Sequence, residues 1–482
     1  MKMLQIPKEN LSKYYDGDSE LAEYRTSFMR DRDRVMYCTA FRRLAGKTQI
    51  YTIGSDDHKK NRLTHSLEVA QIARTIAFAL GFDCDLAEAI ALGHDLGHTP
   101  FGHAGEQILN EIMTPNSPWV KNSPFYLKGY DELKNILERE KSGDSKLDNI
   151  DSWFGFKHNI QSVRVAAVLE DNYRGAGNEN IGLNLNNYTL WGLMHHSGLK
   201  YKNDSSIINY QNAFNKMVSI RNSSNEAWSF EAYIVKIADD IAQWHHDLED
   251  AIRGQALPIS TICDTIQNAL GEDLSDSDIV SLRNNKEMEQ VTKKSLAELS
   301  HIVVNTLIND VYTHSKQNLE NLVDELRTCF PNSTEEKVAQ ALFADYSSVG
   351  LSIAREDVIG FSEKIKDECF KEVIKNSVHH SRDVSRMNEK GKYIIRKIFE
   401  AYYSHPQQLP DGPILHFMVE IGRYKSIEDA RNRGIGSVRT LFDKEMNNPK
   451  LSYKSLLMRR ICDHIASMTD RYAIDEYNSL YG

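Results

Sequence analysis

"LTHSLEVAQIARTIAFAL" (residues 63–80) is the stretch that decides the fold class. Apolar residues recur along it at intervals of three and four positions, at Val69, Ile72, Ile76 and Leu80. This is the period of an α-helix that buries one face, so the stretch predicts a core helix. His65 falls on the same stripe. An imidazole in that position is either a core histidine with a hydrogen-bonding partner or the ligand of a metal ion.

The helical period extends through most of the chain. It recurs in SFEAYIVKIADDIAQWHHDLEDAI (229–252), SLAELSHIVVNTLINDVYTHS (295–315) and SLLMRRICDHIASMTDRYAIDEY (455–477). The 482 residues include 11 prolines, which is few enough to leave long helices uninterrupted. Gly, Pro, Asn, Asp and Ser concentrate near residues 114–125, 141–156, 174–188 and 405–413, which predicts loops there. The sequence therefore predicts an all-α protein.

Composition narrows the classes of function. Hydrophobic residues make up 41% of the chain and charged residues 26%, as in ordinary soluble globular proteins. No apolar run approaches the ~18 residues of a membrane span, and the N-terminus lacks the apolar core of a signal peptide. We therefore expect a cytoplasmic protein that does not enter a membrane. The six scattered cysteines predict reduced thiols. A net charge of −10 disfavours a protein that coats nucleic acid, yet it allows a local anion site.

The stretch ALGHDLGHTPFGHAGE (91–106) concentrates side chains that exchange protons. Three histidines, one aspartate and one glutamate fall within it, and His94 and Asp95 are adjacent. A third predicted helix carries Asp239 and Asp240 among apolar residues. Buried carboxylates are costly unless they are paired or bind a metal. Imidazole and carboxylate groups from three helices suit a divalent ion such as Mn, Fe, Co or Zn better than Ca.

Two assignments stay open on the residues alone. Asp240 lies nearer the Ile and Trp stripe of its helix, whereas Asp239 shares a face with Gln243, so the helical wheel does not choose between the two aspartates. The basic segment FRRLAGKTQ (41–49) is either a solvated helix face or a contact for an anion.

The order His … His-Asp … Asp on separate helices resembles the HD-domain metal-dependent phosphohydrolases. Within them, the chain resembles the deoxyguanosine triphosphate triphosphohydrolase (dGTPase) family, whose members release tripolyphosphate from deoxynucleoside triphosphates (dNTPs). Six segments resemble those of the family and follow its order. They are RDRDRVMYCTAFRRLAGKTQIY (30–51), NRLTHSLEVAQIAR (61–74), GHDLGHTPFGHAGE (93–106), FKHNIQSVRV (156–165), KIADDIAQWHHDLEDAI (236–252) and CDHIASMTDRYA (462–473).

The resemblance implies a domain organisation. It places an N-terminal segment with a substrate-binding motif at residues 1–59 and an HD-domain phosphohydrolase helical core at 60–255. A helical segment at 256–375 follows the core. The chain then ends in a phosphohydrolase-associated C-terminal helical region at 376–482.

The resemblance also implies a metal site. His65, His94 and Asp95 match the metal positions of the HD signature, and Asp239, which follows KIA, matches the fourth position. One divalent cation per site is implied. Mn²⁺ and Mg²⁺ are the first candidates, and Co²⁺, Fe²⁺ and Zn²⁺ are the others.

A catalytic pair is implied in the same way. His103 and Glu106 match the family's pair and are three positions apart, so the two side chains would touch on a helix that begins near Gly102. An imidazole exchanges protons near neutral pH, and a carboxylate orients it. His98 and His158 resemble two further active-site histidines of the family.

Substrate contacts are implied for four residues. Arg62 offers a guanidinium group, which suits bidentate phosphate contacts. Gln49 resembles the residue that contacts the deoxyribose 3′-hydroxyl, and Lys47 is a candidate phosphate or structural contact. Gln243 stands where the family commonly has a tyrosine that packs against the sugar, and this departure bears on how ribose is rejected.

The implied function is metal-dependent hydrolysis of dGTP, or of other dNTPs, to a deoxynucleoside and tripolyphosphate, which would control the dNTP pool. Relatives assemble into oligomers, often hexamers, so a homo-oligomer is expected, with single-stranded DNA or a nucleotide as a candidate effector. Two alternatives stay open. One is an HD phosphohydrolase that acts on another nucleotide. The other is a nucleotide-sensing or single-strand-binding module with weak or no turnover.

Overall fold

The computed structural model describes residues 2–12, 24–49, 60–114, 155–171, 173, 181–195, 227–254, 257–271, 273–288, 292–363, 365, 381–447 and 451–482. Within these ranges the regular structure is helical, apart from an isolated antiparallel bridge between Thr48 and Asn61. The all-α prediction is therefore confirmed. The loops predicted near 114–125 and 141–156 lie almost entirely outside the described residues, as does much of the one near 174–188.

The helices follow one another in three groups. The first group contains α1 (Ser27–Tyr37), α2 (Thr39–Arg43), α3 (Arg62–Leu80), α4 (Cys84–Gly93), α5 (Gly102–Met113), α6 (His158–Arg164), α7 (Asn187–His195) and α8 (Phe230–Arg253). The second contains α9 (Ile259–Leu270), α10 (Asp276–Lys286), α11 (Lys293–Cys329) and α12 (Glu335–Ala344). The third contains α13 (Arg382–Ser404), α14 (Asp411–Glu420), α15 (Ile427–Asn432), α16 (Ile435–Asn447), α17 (Leu451–Ser467) and α18 (Asp470–Tyr481).

Helix α3 forms where the apolar period predicts it. The side chain of Asn61 accepts the backbone N–H of Thr64 and caps the first turn, and Gly81 ends the helix at φ 78°. The predicted stripe is buried, with Val69 and Ile76 at 0% exposure. Helix α3 packs against α4 and α8, and α1 also packs against α4. The helices that carry the candidate metal ligands therefore share one core.

The apolar side chains form two clusters. The larger cluster joins α1, α3, α4, α6 to α8 and the helices of the second group. The smaller one joins the helices of the third group to α5. Helix α5 lies within the predicted 60–255 core, yet its apolar face, including Ile108 and Leu109, packs with the C-terminal helices. The predicted domain boundaries fall at or beside residues outside the described ranges, and they stay predictions.

Buried polar contacts connect the C-terminal helices to the N-terminal half. The guanidinium group of Arg164 on α6 donates to both carboxylate oxygens of Asp463 on α17, with Nη2 2.7 Å from Oδ2. The carboxylate of Asp470 accepts the backbone N–H groups of Thr48 and Phe101 at 3.0 and 2.9 Å. Buried polar groups of this kind define one relative arrangement of the elements that they join.

None of the helices in the described ranges is long and apolar enough to cross a membrane.

Replacing Asp463 with leucine leaves the buried guanidinium group of Arg164 without its carboxylate. We expect the free energy of unfolding to fall by about 3–5 kcal/mol, the usual effect of breaking a buried ion pair from one side. Urea denaturation followed by circular dichroism measures the change. The double variant Asp463→Leu/Arg164→Leu removes both charges and should recover most of the loss. Equal losses in the single and double variants would contradict a role for charge pairing.

Candidate active site

Three helices bring the predicted metal ligands together. His65 lies in the first turn of α3, His94 and Asp95 follow the end of α4, and Asp239 lies in the middle of α8. Nε2 of His65 is 2.9 Å from Oδ1 of Asp239. Nε2 of His94 is 3.3 Å from Oδ1 of Asp95 and 3.7 Å from Oδ1 of Asp239. Nitrogen and oxygen atoms of the four side chains therefore converge on one small volume.

His94 has the tautomer that suits a metal ligand. Its Nδ1 lies 2.6 Å from the carbonyl oxygen of Ala91, one turn back along the chain, and donates its proton there. Nε2 therefore carries the lone pair, and it is this nitrogen that faces the two carboxylates. Ligand atoms of His65, His94 and Asp95 all lie within 4.8 Å of one another, and the three residues are buried. The residues thus fit one divalent cation.

The carboxylate of Asp95 lies among groups that bear or attract positive charge. Arg62 donates from Nη1 to Oδ2 at 2.7 Å, and Nδ1 of His98 lies 2.8 Å from Oδ1. Burial alone would raise the pKa of Asp95, but His94, His98 and Arg62 hold that pKa well below its usual range. Asp95 is therefore ionised at neutral pH.

The structure places Asp239 beside the two candidate ligand histidines. Its side chain is 30% exposed, so it closes the cluster on the open side. Burial opposes ionisation of this carboxylate, but the hydrogen bond from His65 and the electrostatic influence of the neighbouring His94 and His65 rings lower its pKa. Oδ1 of Asp239 lies 2.9 Å from Nε2 of His65 and 3.7 Å from Nε2 of His94, which supports Asp239 as the fourth ligand. The helical wheel left this choice open.

Glu106 contacts two histidines, and the nearer one is not its predicted partner. Its Oε2 lies 2.5 Å from Nδ1 of His158 but 3.9 Å from Nδ1 of His103, which is ionic contact rather than a hydrogen bond. Lys157 also pairs with Glu106. Burial would raise the pKa of Glu106, but His158, His103 and Lys157 together hold it well below its usual range. A fixed carboxylate charge therefore lies between the two imidazoles.

The two histidines differ in burial. His158 is buried, which lowers the pKa of its ring although Glu106 opposes the shift. The ring is therefore neutral at pH 7 and donates its Nδ1 proton to the carboxylate. The side chain of His103 is 72% exposed, so it alone of the pair reaches the open side of the site.

His98 connects the proton-exchanging group to the candidate metal ligands. Its ring stacks on His158 with centroids 3.8 Å apart, and its centroid lies 5.9 Å from that of His103. Its Nδ1 contacts Asp95, as described above. The loop that carries His98 packs directly on α6, because a Cβ at Gly97 would lie 2.2 Å from the carbonyl oxygen of His158. The candidate metal ligands and the candidate acid–base residues therefore form one continuous cluster.

The two residues predicted to read the sugar touch each other. Nε2 of Gln49 donates to Oε1 of Gln243 at 3.0 Å, and Nε2 of Gln243 donates to Oδ1 of Asp247 at 2.9 Å. Oε1 of Gln49 is buried and has no hydrogen-bond donor within the described residues. The paired side-chain amides of Gln49 and Gln243 therefore present a hydrogen-bond acceptor, Oε1 of Gln49, beside the candidate site.

Lys47 is buried and is held by backbone oxygen atoms. Its ammonium group donates to the carbonyl of His98 and, at 2.8 Å, to the carbonyl of Ala466 on α17. Burial, together with the positive charges of Arg62 and Arg43, lowers the pKa of Lys47 to about 7. These contacts place Lys47 between the loop that carries His98 and the C-terminal helices.

Two residues that contact the candidate site residues could not be identified clearly from the sequence. His246 is 1% exposed, pairs with Glu68 and packs edge-on against the ring of His65, with centroids 5.2 Å apart. Its burial places His246 behind the candidate ligand His65 rather than on the surface of α8. Lys157, which pairs with Glu106, was also missed. In the sequence, Lys157 is marked only by its position next to His158.

The comparison with known families agrees with this geometry. Residues 62–263 match the HD domain, a range that contains all four candidate metal ligands. Residues 359–413 and 422–479 match the phosphohydrolase-associated domain. The protein is therefore an HD-domain phosphohydrolase with the associated C-terminal region.

Similar proteins identify the family within the HD-domain phosphohydrolases. The chain is 31% identical to the deoxyguanosinetriphosphate triphosphohydrolase-like protein of Bartonella quintana (strain Toulouse), over 96% of this chain and 90% of the relative. It is 30% identical to a protein of that name from Leptospira interrogans serovar Lai (strain 56601), over 96% and 92% of the two chains. For Rickettsia bellii (strain RML369-C) the identity is 29%, over 95% and 92%. The chain belongs to this family of deoxyguanosinetriphosphate triphosphohydrolase-like proteins.

Proposed function

We propose that this protein hydrolyses dGTP, or a wider set of dNTPs, to a deoxynucleoside and tripolyphosphate. The observation that carries the proposal is the continuous cluster from His65 to His103 in a chain of this family. His65, His94, Asp95 and Asp239 would hold one divalent cation, with Mn²⁺ or Mg²⁺ as the first candidates. A cation held there would supply positive charge that polarises a phosphoryl oxygen.

The reaction requires two proton transfers. One proton leaves the attacking water, and one is added to the departing 5′-oxygen. The oxygen of a water molecule bonds to the α-phosphorus and the water gives up a proton, while the bond from phosphorus to the 5′-oxygen breaks and that oxygen takes up a proton. His103 is the group proposed to carry a proton, because it is exposed and lies beside the negative charge of Glu106. Buried His158 and Lys157 fix the carboxylate and thereby position His103.

Substrate positioning follows from the remaining contacts. The pairing of Arg62 with Asp95 leaves the other atoms of its guanidinium group for a phosphate oxygen. Oε1 of Gln49 would accept a hydrogen bond from the 3′-hydroxyl group of the sugar. Lys47 is held by carbonyl oxygens, which favours the structural alternative over a direct phosphate contact. The predicted homo-oligomer and the DNA or nucleotide effector stay predictions.

The products of dNTP turnover test the proposal. We expect purified protein with Mn²⁺ or Mg²⁺ to convert dGTP into equimolar deoxyguanosine and tripolyphosphate, because the proposed attack is on the α-phosphorus. Anion-exchange chromatography resolves both products. Each dNTP is tested alone and all four together, and turnover in the mixture alone would indicate an activating nucleotide. Orthophosphate or pyrophosphate as the product, or dNTP binding without turnover, would contradict the proposal and favour one of the alternatives.

Adjacent aspartates on α8 test the metal site with a matched control. We expect Asp239→Ala to weaken Mn²⁺ binding by more than ~100-fold. Loss of a residue that only orients a metal ligand weakens binding by up to about that factor, and here a ligand itself is removed. Turnover should disappear with it. Asp240→Ala changes the same residue type one position further on and should retain both. Isothermal titration calorimetry measures the affinity. Loss of binding in Asp240→Ala alone would mean that the fourth ligand is wrongly assigned.

Replacing His103 separates proton transfer from metal binding. We expect His103→Gln to bind Mn²⁺ as the unchanged protein does but to lose about 10²–10⁴-fold in kcat, the usual contribution of a general acid or base. His405→Gln, at an exposed histidine far along the chain, is the matched control and should keep full activity. Undiminished kcat in His103→Gln would remove this residue from the mechanism.

A further inference from the structure

A second group of histidine and glutamate side chains joins α3 to α8 beside the candidate metal site. Glu68 follows His65 by one turn on α3, and His245 and His246 lie further along α8 than Asp239. The ring of His246 packs edge-on against the ring of His65, with centroids 5.2 Å apart. The group is therefore a neighbour of the candidate metal site, yet it contains none of the four candidate ligands.

The nitrogen and oxygen atoms of this group face one another. Oε2 of Glu68 pairs with Nε2 of His246 and lies 3.6 Å from Nδ1 of His245. One possible ligand atom from each of the three side chains lies within 4.8 Å of the other two. Neighbouring ligand atoms on one transition-metal ion are about 3–4 Å apart, since each lies about 2 Å from the ion. Small rotations of the three side chains would therefore bring them around one cation.

His245 also has the second contact that histidine ligands commonly make. Its Nε2 lies 3.3 Å from Oε1 of Glu249, one turn further along α8. A cation on Nδ1 of His245 would leave the proton on Nε2, where Glu249 can accept it. A carboxylate at the other ring nitrogen fixes the tautomer and the orientation of a metal-binding histidine.

The carboxylates around this group attract positive charge. Burial would raise the pKa of Glu68, but hydrogen bonds from the two histidines and the charge of Lys60 hold that pKa well below its usual range. Nζ of Lys60 lies 3.0 Å from Oε2 of Glu249 and 3.6 Å from Oε1 of Glu68, so one ammonium group faces two carboxylates. Burial would lower the pKa of His245, but Glu249 and Glu68 raise it. A cation bound here would therefore meet a favourable potential.

We propose that Glu68, His245 and His246 form a second metal site, which binds one divalent cation such as Zn²⁺ or Co²⁺. Two imidazoles and one carboxylate are the ligands of zinc sites that keep a fourth position for water, and the same mixture of nitrogen and oxygen atoms suits Co²⁺. The cation would replace the ammonium group of Lys60 as a partner of Glu68. The side chain of Lys60 is 22% exposed and can turn its charge to solvent.

A cation in this position would cross-link α3 to α8, because Glu68 and the two histidines come from different helices. These are the helices that carry His65 and Asp239. The cation would therefore hold two candidate ligands of the neighbouring site at a fixed separation. The proposal does not depend on which reaction the neighbouring site catalyses.

Counting bound Co²⁺ tests the second site. The full chain is equilibrated by dialysis with Co²⁺ as the sole divalent cation, and its metal content is measured by mass spectrometry. We expect two Co²⁺ per chain in the unchanged protein and one in His245→Ala, because this variant removes one of three ligands and leaves the neighbouring site complete. Glu68→Gln should also bind one. His301→Ala, at an exposed histidine on α11, is the matched control and should keep both ions.

Asp239→Ala distinguishes the two sites. It should lose one Co²⁺ and keep the ion that His245→Ala loses, so the combined variant should bind none. A single Co²⁺ in the unchanged protein that is lost in Asp239→Ala would overturn the proposal, as would two ions that both remain in His245→Ala and Glu68→Gln. A single Co²⁺ that remains in Asp239→Ala and is lost in His245→Ala would support the second site and contradict the first. Circular dichroism confirms that each variant is folded.

Lys60→Met tests the site by an effect in the opposite direction. Removing the ammonium group that competes with the cation should strengthen Co²⁺ binding about two- to fivefold, the usual contribution of a partly exposed charge pair. Calorimetry in the Asp239→Ala protein measures this affinity at the second site alone. Unchanged or weaker binding in Lys60→Met would overturn the proposed position of the cation between Glu68 and the two histidines.

Discussion

The buried carboxylate of Asp95 is the constraint on which the rest of the site depends. An ionised carboxylate at 2% exposure costs several kcal/mol unless charged or hydrogen-bonding groups surround it. Arg62 supplies one such group from the first residue of α3, and His94 and His98 supply the others. Satisfying this charge therefore fixes the start of α3 against the end of α4. The same arrangement places His65, one turn along α3, beside the candidate metal position.

A second constraint fixes the helix that carries the proton-exchanging residues. Phe101 and Gly102 both have positive φ, 60° and 58°, so the chain turns sharply just before α5. The backbone N–H of Phe101 donates to the carboxylate of Asp470 on α18, and the apolar face of α5 packs into the C-terminal cluster. The C-terminal region thus orients His103 and Glu106, although it contributes none of the candidate metal ligands.

The local parts of this structure could be predicted from the sequence. The apolar period predicted α3 and the burial of His65, because a helix face depends only on residues a turn apart. The hydrogen bond between Glu106 and His158 could not be predicted in this way, because the two residues are 52 positions apart on different helices. The contact between Gln49 and Gln243 spans 194 positions. Such pairings depend on how helices pack, which periodicity does not determine.

The amide at position 243 changes how the sugar edge would be recognised. A tyrosine there, as the family commonly has, would exclude a 2′-hydroxyl group by its bulk. The amide of Gln243 is instead fixed at both ends, since its nitrogen donates to Asp247 and its oxygen accepts from Gln49. An amide oxygen has two lone pairs, so it can accept a second hydrogen bond from a sugar hydroxyl. If Gln243 borders the sugar, as the family resemblance implies, discrimination against ribose must come from groups other than this side chain.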